Sequence, residues 1–296
     1  MDLIVSSISQ GLMWSILAIG VYLTFRILDI ADLSAEGSFP LGAAVCAKLI
    51  VSGVHPLVAS LAAFLAGLVA GLVNGFMINK MHIPALLSGI LTMTGLYSIN
   101  LRIMGQANIP LLGEANIMES FQATGMNPTL ASLIIALIFL AVVIMALVVF
   151  MNTEYGLTLR ATGDNPLMAE ANGVKTDQMK LVGLMLSNGL IALSGAIICQ
   201  NNGYADIAMG TGTIVIGLAA IIIGEVLRRN LTFGKRLITI AIGAVIYRLI
   251  IDFIMQQQFL PVLPSDIKVL SSIALAIILY APHAKASFQN RQASAK

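Results

Sequence analysis

Charge is what this sequence has least of. Only 16 of 296 residues are Lys or Arg and 14 are Asp or Glu, so 10% are charged while 58% are hydrophobic. Soluble domains carry roughly 25% charged residues; a soluble chain of this length would need several dozen more to cover its surface. The net charge of +2 carries no information about nucleic acid, and no nucleic-acid partner is expected. Cysteine is nearly absent. Cys46 and Cys199 both sit in apolar runs with no Cys or His at ligand spacing, which reads as buried free thiols rather than a metal centre. No Gly-x4-Gly-Lys-Ser/Thr stretch exists, so the chain has no P-loop for ATP. No Ser/His/Asp set, paired carboxylates or His-Glu-x-x-His pattern suggests catalysis, and neither cofactor nor metal is expected. The first residues, MDLIVSSISQ, lack a basic n-region and a small-residue cleavage site, so they read as the start of a spanning helix rather than a removed signal peptide.

What is abundant is long apolar runs, and the mean hydropathy is +0.94. A spanning helix needs roughly 20 mainly apolar residues. Candidates are Leu3–Leu28, Gly37–Val51, Pro56–Ile78, Pro84–Met104, Pro128–Met151, Met179–Cys199, Met209–Leu227, Leu237–Met255 and Ile267–Tyr280. Several open on proline, which suits a first helical turn. The expected fold is an all-α integral membrane protein, a bundle of about 8–10 spanning helices. A single transmembrane domain over residues 1–296 is expected, with halves at 1–151 and 181–296 joined by 152–180. Lys80, Arg160, Lys175, Lys180, Arg228, Arg229, Lys235, Arg236, Lys285, Arg291 and Lys296 fall in alternate loops and the C-terminal tail. By the positive-inside rule that set is cytoplasmic, with the N-terminus outside and the C-terminus inside. The longest outer loop, Gly105–Asn127, reads as a short surface helix or a docking surface.

Ile30–Val45 resembles Tyr204–Ile221: Asp32 aligns with Asp206, Gly37-Ser38 with Gly212-Thr213, and Gly42 with Gly217. The two stretches run in opposite directions across the membrane, as an inverted repeat would leave them; chance likeness of Gly/Ala-rich helices is the alternative. Each has a polar, Gly-containing stretch that opens a helix, so the backbone there is expected to be broken. Asp29, Asp32 and Glu36 are placed either in a cytoplasmic loop or inside the bundle, with Arg26 as a possible partner for one of them. Arg248 and Asp252, four apart, share a helix face and are expected to pair. Ser88, Thr92, Thr94, Tyr97, Ser98 and Asn100 either line a pathway or bond back to helix carbonyls. Gly67–Gly75, GLVAGLVNG, permits close helix approach. Asp32, Glu36, Ser38, Thr92, Tyr97, Asn188 and Asp206 are the candidate pathway residues.

The longest strongly polar interval is Asn152–Lys180. Within it Asp164 or Asn165 can cap a helix opening at Pro166 and running through Leu167, Met168, Ala169, Glu170, Ala171 and Asn172 to Gly173, a natural C′ residue. A two-turn helix is too short to be stable alone in water, so packing is expected to hold it.

TEYGLTLRATGDNPLMAEANGV followed by GLMLSNGLIALSGAI resembles the cytoplasmic loop and next helix of the branched-chain amino acid and ribose permease family of binding-protein-dependent ABC importers. GLMWSILAIGVYLTFRILDIADLSAEGSFPLGAAV resembles that family's N-terminal region and GLAAIIIGEVL its late Ala/Gly segment; DLSAEGSFPLGAA is most similar to the subgroup paired with tryptophan-type substrate-binding lipoproteins. The resemblance implies a permease in the bacterial plasma membrane that pairs with a second copy or homologue. It implies two cytoplasmic ATPase subunits and an extracytoplasmic binding protein as partners. Gly163 through Gly173 would be the coupling helix and its flanks, seated in the ATPase. The chain departs from some ribose-type members in lacking an additional N-terminal helix. Amino acids are the expected cargo, with sugars or nucleosides as the alternative. A gradient-driven secondary transporter also accommodates repeats and an intramembrane acid, but needs no capped cytoplasmic helix. A membrane-embedded enzyme would need a polar catalytic cluster.

Overall fold

The computed structural model describes residues 2–114, 116, 117, 127–228, 231–255, 269 and 273. Apart from Val269 and Ile273, the sequence-predicted span Ile267–Tyr280 lies outside the described residues, as does the basic tail at 285, 291 and 296. The described residues are helical almost throughout. In order come α1 (Asp2–Tyr22), α2 (Ala35–Val51), α3 (Pro56–Asn79), α4 (Ala85–Met104), β1 (Asn108–Pro110), α5 (Pro128–Met151), α6 (Glu154–Asp164), α7 (Pro166–Ala171), α8 (Thr176–Asn202), β2 (Tyr204–Asp206), α9 (Thr213–Leu227) and α10 (Phe233–Met255). Among the described residues, 6 helices are long and apolar enough to cross a membrane.

Position in the bundle explains composition. The span α5 is the most apolar and has only 28% of its window buried, while α8, with polar residues along its length, is 72% buried. Lipid solvates only apolar side chains, so polar residues collect on helices wrapped by protein. By the same logic α2 is short and carries Pro40 and Glu36, yet is buried along most of its length, against α3, α4 and α8.

The seams are made by small residues. A Cβ on Gly67 or Gly71 of α3 would lie 2.4 Å from Asn188 O or 2.3 Å from Leu184 O of α8, and one on Gly42 of α2 would lie 1.9 Å from Ala192 O. Bare backbone lets the helices approach within contact distance, which is how membrane helices gain packing without a hydrophobic drive between them.

Two helices are broken, as the sequence predicts. After Tyr22, α1 continues as a π-helical turn, Leu23–Ile27, with Leu28 N donating to Leu23 O (3.1 Å) and Ile30 N to Thr24 O (2.9 Å). Asp29 then adopts φ +54, a left-handed conformation that Asp tolerates better than most residues. An extended link leads into α2. In the second half, β2 passes into a 3-10 turn, Ile207–Gly210, before α9 opens at Thr213. The helix therefore starts later than the predicted Met209.

The ends of the bundle differ. At one end α6 lies beside the turn after α1, α7 packs against α6 and α8, and Asn79 Nδ2 donates to Asp177 O (2.6 Å). At the other, β1 and β2 pair antiparallel with Asn108 opposite Asp206 and Pro110 opposite Tyr204. The predicted surface helix or docking loop after Gly105 thus opens as a strand that pairs with the 204–206 segment.

Candidate functional site

Helix α6 is the part of the polar segment that sequence patterning missed; the interval was expected to hold one short helix and holds two. Thr153 caps α6 by accepting from Gly156 N (3.3 Å). Only Gly156, Leu159 and Thr162 are buried, one residue every three along a single face. Two of those are too small or polar to register as an amphipathic stripe, so period-based reading had little to detect.

Helix α7 follows the predicted chemistry closely. Asn165 leaves the helical region (φ −154, ψ 96) and its Oδ1 accepts from Met168 N at 3.0 Å. Pro166 occupies the first helical position, where its missing N–H costs nothing. At the far end Gly173 adopts φ +82, Gly173 N donates to Glu170 O (2.9 Å) and Val174 N to Ala169 O (3.1 Å), the paired bonds of a Schellman cap. Asn172 Nδ2 adds a bond to Met168 O (2.7 Å). Both termini are thus closed, which lets six residues hold a helix despite their length. Only Ala169 is buried; Leu167 is 79% and Met168 59% exposed. Two large apolar side chains thus project from a short helix set within the polar segment.

The segment touches the bundle through backbone. A Cβ on Gly163 would lie 1.6 Å from Ile27 O, so α6 rests directly on the π-helical end of α1. The side chain of Leu28 fills the space above Gly183 of α8.

Five residues beyond Ile27 lies the densest polar cluster among the described residues. Asp32 Oδ1 accepts from Ser34 N (2.8 Å), Ser34 Oγ (2.5 Å) and Asn74 Nδ2 (2.9 Å); Asp32 Oδ2 accepts from Asn188 Nδ2 (2.9 Å). Asn188 Oδ1 faces Ser38 Oγ (2.6 Å) and Ser34 Oγ (2.9 Å), and Asn74 Oδ1 accepts from Ser88 Oγ (2.6 Å). One carboxylate thereby ties together α2, α3, α4 and α8. Asp32 has no ion-pair partner among the described residues; its charge is met by four donors instead, the arrangement a partly buried carboxylate needs when no cation is at hand.

The other predicted site residues scatter. Ser38, Thr92 and Asn188 belong to this cluster and are buried. Glu36 Oε1 accepts from Gly212 N (3.0 Å), so the first turn of α2 meets the start of α9. Asp206 is at the opposite end, where its Oδ1 accepts from Ala208 N (2.7 Å) and its Oδ2 from Asn108 Nδ2 (3.2 Å). Asp32 and Asp206 make the same local bond, carboxylate to the N–H two residues on, which gives the sequence echo a matching geometry. Tyr97 is 55% exposed on α4, clear of the cluster. Thr94 bonds back to Ile90 O (2.8 Å), one of the two expected roles, while the buried Asn100 instead donates across to Gly37 O of α2 (3.1 Å). Arg26 pairs with none of Asp29, Asp32 and Glu36; its Nε meets Glu225 at 2.9 Å, because the π-helical turn carries it toward α9. Arg248 and Asp252 pair as expected, at 3.1 Å. Asn74 and Ser34 were not anticipated; a polar residue amid GLVAGLVNG was the available signal.

An apolar bundle with broken helices and buried polar side chains that satisfy one another makes this chain a multi-pass membrane protein. Comparison with known proteins narrows the class. Residues 3–281 match the family described as branched-chain amino acid transport system / permease component, and the chain belongs to that family. It is 41% identical over 276 residues to a tyrosine transport system permease protein of Clostridioides difficile (strain R20291), covering 93% of this chain and 90% of that one. It is 33% identical over 284 residues to the uncharacterized protein RP368 of Rickettsia prowazekii (strain Madrid E), covering 94% and 97%. It is 31% identical over 226 residues to the ribose import permease protein RbsC of Bacillus subtilis (strain 168), covering 76% and 68%. The chain is a permease subunit of an ABC importer.

Proposed function

We propose that this permease carries an amino acid, of the aromatic or branched-chain class, across a bacterial plasma membrane. The observation that carries the substrate reading is the 41% identity, over nearly the whole of both chains, to a tyrosine transport permease. An extracytoplasmic binding protein delivers the substrate, and a second copy of the permease completes the pathway. The basic loops face the cytoplasm, which puts α6, α7 and the C-terminus inside and the N-terminus outside. Two ATPase subunits hydrolyse ATP there, and α7 with its flanks, Gly163–Gly173, is their docking element. A doubly capped helix with Leu167 and Met168 exposed supports that role, since large apolar side chains left exposed outside the spans favour a protein partner. Glu36 and Tyr97 line the pathway, and the Asp32 cluster holds its walls together rather than meeting substrate. Tyr97 stands on a face of α4 that also exposes Thr94 and Ser98, a poor surface for lipid.

Two experiments separate the parts of this reading. Replacing residues 165–170 by Gly/Ser and co-purifying the permease with its ATPase tests the docking element; undiminished capture together with undiminished uptake refutes it. Thermal-shift screening of the partner binding protein against tyrosine, tryptophan, leucine and ribose tests the cargo. Stabilisation by an amino acid is expected; stabilisation by ribose alone overturns the amino-acid assignment and leaves the permease class intact.

A further inference from the structure

We propose that the cavity enclosed by the end of α1, helix α6 and the start of α10 binds a phosphate-bearing anion, with an anionic phospholipid headgroup as the form that fits it. The cavity has a volume of about 230 Å³, and Arg26, Arg160 and Arg236 line it together with one carboxylate, Asp164. Arg26 engages Glu225 through Nε and remains 55% exposed. Arg236 hydrogen-bonds the Tyr22 hydroxyl. Arg160 gives Nη2 to Met151 O and stands 5.7 Å over the Phe233 ring, while its Nε is buried with no hydrogen-bond partner among the described residues. Even with Glu225 counted, three guanidinium groups face two carboxylates.

That balance leaves the lining with net positive charge, which an anion would neutralise. Guanidinium groups are planar donor forks that match phosphate oxygens two at a time, so converging arginines suit phosphate better than a point-like halide. Position favours a lipid as its source. The cavity lies where the candidate spans of α1 and α10 meet their ends, the part of a spanning helix that reaches the headgroup layer, and Phe233 gives it an apolar wall beside the cations. Such an occupant would bridge the polar segment to two spanning helices. The site requires only the membrane setting; it depends neither on the cargo nor on what drives transport.

The full chain, purified in detergent and stripped of lipid, is titrated with phosphatidylglycerol and with phosphatidylcholine of the same acyl chains, and retention is read by native mass spectrometry. A separate arm adds inorganic phosphate. Phosphatidylglycerol is expected to bind at least about tenfold more tightly, and Arg160→Gln or Arg236→Gln to lower that preference by about fivefold each. Asp164→Asn, which removes a carboxylate from the lining without touching the arginines, should raise it. If inorganic phosphate displaces phosphatidylglycerol at millimolar concentration, the anion site stands and a free phosphate is its source. Equal binding of the two lipids by the wild type overturns the proposal. So does an unchanged preference in Asp164→Asn with helix content intact by circular dichroism, a variant that decides the matter even if the arginine variants fail to fold.

Discussion

Gly163→Ala is the smallest change that can show whether α6 is seated on α1. An added Cβ would lie 1.6 Å from Ile27 O, 2.7 Å from Ile27 C and 3.2 Å from Leu28 Cα, against an ordinary contact range of 3.4–4 Å. All three atoms are backbone of the π-helical turn and its exit, so no side chain can swing aside. The helix must retreat by about 2 Å, in a packed environment where even one extra methylene is felt. Retreat also unseats Leu159 and Thr162, each 1% exposed on the same face. Overpacking of this kind costs roughly 1–3 kcal/mol. Working against it is the gain from replacing helical Gly by Ala, roughly 0.5–1 kcal/mol. The balance is a loss of about 1–2 kcal/mol, a fall of roughly 2–6 °C in Tm by scanning fluorimetry in detergent. Gly95→Ala in α4 is the control, because nothing lies within 4 Å of its added Cβ and only the propensity gain remains. Opposite signs for the two variants are expected. If both move Tm upward, α6 is not packed on Ile27 as described.

Asp32→Asn keeps the shape of the cluster but turns an amide NH₂ toward donors that need an acceptor. With Asn74 Nδ2 or Asn188 Nδ2 stranded, a loss of roughly 1–3 kcal/mol is expected, read as a lower Tm and reduced uptake. Asn165→Ala removes the cap on α7 at a cost of roughly 0.5–2 kcal/mol; since only Ala169 of that helix is buried, global Tm should hardly move while amide exchange over 166–172 accelerates several-fold. Gly71→Val forces a branched side chain into backbone 2.3 Å away, so the chain should fail to accumulate in the membrane by immunoblot. Arg26→Gln breaks an ion pair with one partner 55% exposed, and stability should change by less than about 1 kcal/mol.

The spans, the two breaks and both caps of α7 are legible in the sequence because each rests on local chemistry: run length, the Gly-containing polar stretches, Asn-Pro at one end and Gly at the other. Boundaries moved where an amphipathic lead-in extends a helix beyond its apolar run, as Thr176–Asn202 extends the predicted Met179–Cys199. What was not legible depends on partners far apart in the chain. Asn188 meets Asp32 across 156 positions and Arg26 meets Glu225 across 199, and nothing near Arg26 distinguishes Glu225 from the closer Asp29. The seat of α6 was hidden for another reason. Its key residue is a glycine chosen for the backbone opposite it, and an empty side chain leaves no periodic mark.

These features lie in series along one short piece of chain. Ile27 takes the backbone contact from Gly163; Asp29 turns in the left-handed region; Asp32 gathers α3 and α8; and Glu36 reaches the first N–H before α9. Ten residues, 27 through 36, therefore run from the polar segment's point of contact to the meeting of the two broken helices. A side-chain contact between α6 and α1 would absorb small displacements by changing rotamer. Backbone against backbone cannot, so a displacement of α6 has to be met by Ile27 itself. The π-helical turn is the one part of that path whose hydrogen bonds are wider than those of an α-helix, and such turns are rare outside functional sites. It is flanked by a rigid contact on one side and a fully engaged carboxylate on the other. The path from Gly163 to the Asp32 cluster thus runs through a π-helical turn and an extended link rather than through continuous α-helix.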